Sequence, residues 1–345
     1  MIKEMVMLRF RILTLLGVCF LISAVGARAQ EESDEAPLVP SAVVARDVRL
    51  RRTPDTTRPP LGLLHTGARL LQIDPQEQNG FIYVLTPQAE KGWVALANVR
   101  RELVASTFAA RSPCKRTATD LSDCPDIGCE LDATTTQAVV NATKHRRPGS
   151  SARATTLTFA DFRSLQRDVE RLMPPGQHLD LTRPQRNRLR GFTVSGGTVR
   201  EGSLVRISGF IPEESKPHAN PGESVNCKFT PQAESDFHIT LAPRAGDSEF
   251  KGIVVEMIPQ GRPAGWTTAK LRDISSRDLR VLVVGALFFD NIHLVNDDET
   301  HSLGGQPKRF SLWEVHPITQ FFVCQRARNA CAPDRLDDWT PLADF

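Results

Sequence analysis

Aromatic side chains are scarce in this chain: they make up 6% of 345 residues, and Tyr83 is the single tyrosine. A stacking platform for single-stranded nucleic acid needs several rings along one groove, so that class loses its main support. Compact catalytic signatures are missing too. The chain has no Gly-Xaa-Ser-Xaa-Gly elbow, no phosphate loop, no dinucleotide fingerprint and no His-Glu-Xaa-Xaa-His. The hydrolase, nucleotide-binding and zinc-protease classes built on those motifs therefore have no foothold in the sequence. A charge excess is also lacking. Lys and Arg number 43 against 40 Asp and Glu, and 39 of each remain once Lys3, Glu4, Arg9, Arg11 and Arg28 are set aside with a leader. Proteins built mainly to grip nucleic acid carry a basic footprint instead.

The leader is read from the first 29 residues. Met1 to Arg11 is basic, Ile12 to Gly26 is almost wholly apolar, and Ala27-Arg28-Ala29 follows as a small-residue cleavage site. This is the pattern of a secretory signal peptide. The apolar run falls short of the roughly 20 residues that a membrane span needs, and no other segment comes closer. The expectation is an exported protein of the periplasm or extracellular space, mature from about Gln30, with no transmembrane segment after cleavage. Residues 30–42 begin acidic (Glu31, Glu32, Asp34, Glu35) and read as a flexible lead-in.

Six cysteines follow the leader: Cys114, Cys124, Cys129, Cys227, Cys324 and Cys331. An even count in an exported chain implies up to three disulfides. Cys124 and Cys129 have no second pair at zinc spacing, so oxidation is expected rather than metal ligation. Cys227 with Cys324 is the expected pairing, because both flank strands of one proposed barrel.

Residues 43–104 carry short apolar runs (Val43-Val44, Leu61 to Leu64, Leu70 to Ile73, Phe81 to Val84, Trp93-Val94) between turn signals. Such spacing predicts a small β-barrel. Val48-Arg-Leu-Arg-Arg52 with Thr53-Pro54, Leu61-Gly62-Leu63, Asn79-Gly80-Phe81 and Gly92-Trp93-Val94 together resemble the bacterial SH3-like domain. The resemblance covers the segment and implies a binding module, often for cell-wall glycan or peptide. It makes Phe81, Tyr83 and Trp93 the candidate ligand-binding aromatics. Phe81 stands where that family usually has tryptophan, and Trp93 is weighed as a core anchor against a ligand platform.

Residues 111–190 read as a helical, cysteine-containing linker. Helices are expected over Thr134 to His145 and after Thr158, where Asp161 completes a capping box and Phe162, Leu165, Val169 and Leu172 recur at helical spacing. Arginines crowd this stretch from Arg146 to Arg190. They form either a solvated face or a contact for an anionic partner such as a wall polymer or lipid surface.

Residues 198–324 predict a second barrel. Three strands (Val199 to Phe210, Asp236 to Leu241, Ile253 to Ile258), a helix (Trp266 to Ile274) and two more strands (Leu279 to Phe289, Phe310 to Val323) give the order of an OB-like five-stranded Greek-key barrel. Residues 325–345 form an acidic tail. Five blocks within about Cys124 to Cys324 resemble an uncharacterised family of exported bacterial proteins: Asn220 to Cys227, Ser235 to Ile239, Val254 to Gln260, Phe288 to His293 and Phe310 to Pro317. That family implies no activity that can be carried over. The fold class expected for the whole chain is mainly β with a helical linker.

Acids and histidines gather at the ends of those strands: Asp236, His238, Glu256, Asp290, His293, Glu314 and His316. Asp236 and His238 share a face, as do Glu314 and His316, because side chains two apart along a strand point the same way. Convergence at one barrel mouth would suit a divalent, zinc-like ion with an open position for water. The same residues could form a structural polar network or a non-catalytic ligand site. The sequence favours an exported, non-catalytic binding protein of the periplasm or envelope, with no cofactor, recognising wall material or a protein partner. The competing reading is a metal-dependent hydrolase at the barrel mouth.

Overall fold

The computed structural model describes residues 38–72, 77–86, 91–105, 118–149, 153–173, 181–300, 302, 306–326 and 329–345. The expected leader, the start of the acidic lead-in and Cys114 lie outside them. Among the described residues no helix is long and apolar enough to cross a membrane.

The chain is mainly β. Its first part holds β1 (Leu38–Val44), β2 (Val48–Leu50), β3 (Gly62–Leu64), β4 (Arg69–Gln72), β5 (Phe81–Leu85), β6 (Lys91–Ala95) and β7 (Val99–Ala105). Five of these make one antiparallel sheet in the order β6-β5-β4-β1-β7, while β2 and β3 pair separately. Val44, Leu50, Leu70, Ile82, Val84 and Val94 fill the core between them. β2 connects back to the larger sheet through the bridge Arg51↔Trp93, after which Thr53-Pro54 turns the chain away.

Next come α1 (Thr136–Lys144), β8 (Thr155–Thr156), α2 (Phe159–Leu172), α3 (Arg183–Arg186), β9 (Arg190–Val194) and β10 (Gly197–Arg200). The capping box is present at α2: Thr158 accepts from the Asp161 amide, and Asp161 accepts from the Thr158 amide at 2.8 Å. The apolar stripe of α2 (Phe162, Leu165, Val169) then packs onto the large sheet. These residues do more than link, because β8 adds to that sheet by pairing parallel with the strand over residues 204–210.

The large sheet uses β11 (Leu204–Phe210), β12 (His218–Asn220), β13 (Asp236–Leu241), β14 (Ile253–Met257), β15 (Arg280–Phe289), β16 (Trp313–Cys324) and β17 (Trp339–Pro341), with α4 (Thr268–Ser276) between β14 and β15. Its path is β12-β13-β14-β16-β15-β11-β8, with β17 pairing β16, so the tail also contributes a strand. β14 and β16 run parallel, and the pairs β13–β14 and β15–β16 run antiparallel. β15 is buried along nearly its whole length, as its continuous apolar run predicts. Pro317 lies inside the central strand β16, where it cannot donate to a ladder. The register shifts opposite it at Gly285, where an added Cβ would come 2.4 Å from the Pro317 carbonyl oxygen.

The expectation of two closed barrels is corrected: among the described residues no sheet closes into a barrel. At the large sheet, β11 and β13 meet at the bridge Phe210↔Ala242, whose residues exchange backbone hydrogen bonds of 2.9 and 2.8 Å. Pro243 follows Ala242 directly and Pro212 follows Phe210 after Ile211, and neither proline can supply the amide that would extend a ladder.

Disulfides are present as expected, but the expected pairing is corrected. Cys227 pairs with Cys124 and Cys324 pairs with Cys331, each with Cα atoms 5.8 Å apart. Cys129 is disulfide-bonded as well. The expected Cys227–Cys324 bond fails on distance. Cys227 adjoins Asn226, which bonds Asp236, and Asp236 lies beside His316 near the start of β16. Cys324 is eight residues further along that strand. At about 3.3 Å per residue the separation is roughly 26 Å, against the ~7 Å limit for bridged Cα atoms.

Candidate functional site

Strand register places the acids and histidines. Antiparallel pairing sets His238 directly across from Glu256, and the side chains meet at 3.0 Å between Nδ1 and Oε1. Parallel pairing of Val255 with Val315 places the next residues, Glu256 and His316, on one face, and Glu256 Oε2 lies 2.7 Å from His316 Nδ1. His316 Nε2 lies 3.6 Å from Asp236 Oδ2, and its Nδ1 lies 3.7 Å from Glu314 Oε2. Five of the seven candidates are therefore in direct succession.

The remaining two join through a residue that sequence reasoning missed. Arg309 pairs with Glu314 and with Asp290, the latter at 2.6 Å, and Asp290 holds His293 Nδ1 at 2.6 Å. Lys144, at the end of α1, approaches Glu256 at 3.7 Å, and Asn226 donates to Asp236 at 2.9 Å. The result is one chain of contacts from His293 to Asn226. It is closed to solvent: Asp236, Arg309 and His316 are 0% exposed, and Glu256 is 4% exposed. His238 and His293 are half-buried at its margins, with His238 stacked on the exposed His218.

Charge explains how such a cluster survives burial. Burial disfavours charge on His316, but Glu256 and Glu314 outweigh it and hold the imidazole up at about 9. Burial likewise disfavours the Lys144 ammonium, yet Glu223, Glu256, Asp236 and Glu314 raise its pKa well above the ordinary range. Burial favours neutral Glu256, whereas Lys144 and His316 hold that carboxyl well below its usual value. Asp290 is held down in the same way, by His293 and Arg309 against burial. Glu223 goes the other way: burial pushes it up to about 8, with Lys144 only partly opposing. The network thus sets the cations Lys144, Arg309 and His316 against its acids, with burial favouring the neutral form of Glu223.

Asp236, Glu256 and His316 each offer a ligand atom, all within 4.8 Å of one another. Asp236 Oδ2, Glu256 Oε2 and both His316 nitrogens lack aligned hydrogen bonds. A tetrahedral ion at ~2.1 Å from each ligand needs ligand atoms about 3.4 Å apart. Cationic His316 and the nearby Lys144 ammonium already supply positive charge to these acids.

The aromatic candidates of the first part do not line an open groove together. Phe81 and Trp93 are buried, and the half-buried Tyr83 packs on Trp93 with ring centroids 5.0 Å apart. Elsewhere, Arg146, Arg186, Arg190 and Arg200 line a pocket of about 220 Å³ that contains none of the seven acids and histidines. Lys144 was hidden because its neighbours in sequence form a helix remote from the strands. Its signal was position: Val140 and Lys144 lie four apart on the buried face of α1. Arg309 gave no such signal. Comparison with protein-family models, with curated proteins and with solved structures finds no match.

Proposed function

We propose that this chain is an exported, non-catalytic binding protein of the periplasm or cell envelope. The observation that carries this reading is closure. Five of the seven acids and histidines, Asp236, Glu256, Asp290, Glu314 and His316, are sealed and ion-paired within the network, while catalysis on a substrate needs reacting groups that the substrate can reach. The disulfides suit an oxidising compartment. The first part is proposed as an SH3-like module, supported by its short antiparallel strands and separate small core. The large sheet is proposed as OB-like, supported by a strand path that runs second, third, fifth, fourth, first and by the helix between the third and fourth strands.

The test is co-sedimentation of the full chain lacking residues 1–29 with peptidoglycan and with membrane vesicles. Pelleting with either is the expected result, and recovery wholly in the supernatant with both would overturn the reading. A second reading is favoured by the Asp236, Glu256 and His316 cluster. In it the chain is a metal-dependent hydrolase: His238, His293 and His316 hold a divalent ion, and one of Glu256, Asp290 and Glu314 serves as general base.

A further inference from the structure

We propose that the pocket beside the β9–β10 hairpin binds the phosphate group of a phosphomonoester or phosphodiester, an inference that rests on the binding-protein reading above. Four arginines line it, with Glu201 as the acid among them. Glu201 is already committed. It grips Arg186 at 2.5 and 3.0 Å, and Arg186 donates further to Asn291 and to the Phe289 carbonyl oxygen. Arg186 is buried by these bonds and forms a fixed wall. Arg146, Arg190 and Arg200 have no ion pair among the described residues.

A second, independent observation comes from the hairpin. Arg190 and Arg200 are direct cross-strand partners in its register. Like charges placed opposite each other weaken a strand pair, and a third free guanidinium nearby adds to the repulsion. An anion seated between them turns that repulsion into attraction. Arg146 passes over Gly202, where an added Cβ would lie 3.7 Å from the Arg146 Cδ and where φ is +82°. A glycine there keeps this side of the pocket free of side-chain bulk.

The number of free guanidinium groups selects the anion. One arginine fork can occupy both oxygens of a carboxylate, whereas a tetrahedral phosphate presents oxygens in several directions and accepts from several arginines at once. No aromatic ring lines the cavity, so a stacked base is not part of what it recognises.

The experiment is calorimetric titration of the chain lacking residues 1–29, at low salt in a phosphate-free buffer. The probes are inorganic phosphate, vesicles of phosphatidylglycerol in phosphatidylcholine, and citrate as a carboxylate control. Binding of phosphate or of the anionic vesicles is expected, with citrate weaker. The double variant Arg190→Gln/Arg200→Gln should weaken it by roughly tenfold or more, and Arg153→Gln should leave it unchanged. Both double-variant positions are exposed and unpaired, and circular dichroism verifies their fold. Binding of the vesicles alone assigns a lipid headgroup, and binding of phosphate alone assigns a free phosphate. Failure of both probes overturns the proposal, as does citrate binding as tightly as phosphate with no loss in the double variant. Envelope co-sedimentation that survives such a failure leaves the binding reading standing and removes only the phosphate.

Discussion

Arg309 has no exposed surface, yet its guanidinium faces two carboxylates, Asp290 and Glu314. Removing one partner of a buried ion pair leaves the other charge unsolvated, at a cost of roughly 3–5 kcal/mol. Arg309→Met should lower the urea-unfolding free energy by about that amount. A loss below ~1 kcal/mol would show that the network does not stabilise the fold. The histidine at its centre makes the same claim through pH. His316 is held at about 9 in the folded chain, against about 6.5 when unfolded. Its stabilisation is complete below pH 6.5 and is lost as pH rises through 9, a change on the order of 3 kcal/mol. Glu223, raised to about 8, weakens the fold in the same direction as pH climbs from its ordinary 4.5. The depressed Glu256 and Asp290 act oppositely, so their stabilisation fades only as pH falls below their ordinary carboxylate values. Urea midpoints should therefore fall between pH 6 and 9, and His316→Gln should flatten that decline. A flat wild-type profile would contradict the charge assignments. At this scale strand parity alone puts Asp236 with His238 on one face and Glu314 with His316 on one face. Lys144 offers only its helical spacing from Val140, and Arg309 offers nothing, because a run of sequence does not say which distant segments will bury a lysine or arginine.

Elements were easier to read than their closure. The α2 helix is bounded by the Thr158 cap and Asp161, and both signals are local. Thr158→Ala removes an N-cap, so a loss of about 1 kcal/mol is expected by thermal or urea unfolding. No loss would mean that Asp161, which also accepts from the Ser195 amide at 2.8 Å, fixes this helix end without the threonine. The strands at 236–241, 253–257, 280–289 and 313–324 lie within a few residues of their sequence-based expectations, since alternation and continuous apolar runs are local too. The long first strand was not legible. Residues 197–200 pair with 190–194 as a hairpin, and a new strand begins only at Leu204. Gly202, with φ at +82°, turns the chain between them. Whether sheet edges meet was also hidden. That depends on Pro212 and Pro243, distant in sequence, stopping both strands beside the bridge Phe210↔Ala242.

Across the whole molecule the seven acids and histidines act as one network, buried except at its margins His238 and His293, with cations donated by α1 and by the segment before β16. Strand-end spacing in the sequence singles out these seven residues, while the closure of most of them comes from packing that no motif encodes. The arginine pocket adjoins the network, since Arg186 in its wall bonds Asn291, the neighbour of Asp290. A ligand bound there would rest on a scaffold already held rigid by ion pairs. The most direct test of a closed, self-neutralised network is metal content. The chain lacking residues 1–29 is incubated with zinc, desalted and analysed by mass spectrometry, alongside His316→Gln and Glu256→Gln. The expected result is far less than one equivalent of zinc, equal in all three proteins. One equivalent in the wild type, lost in both variants, would contradict it and make the cluster a metal centre.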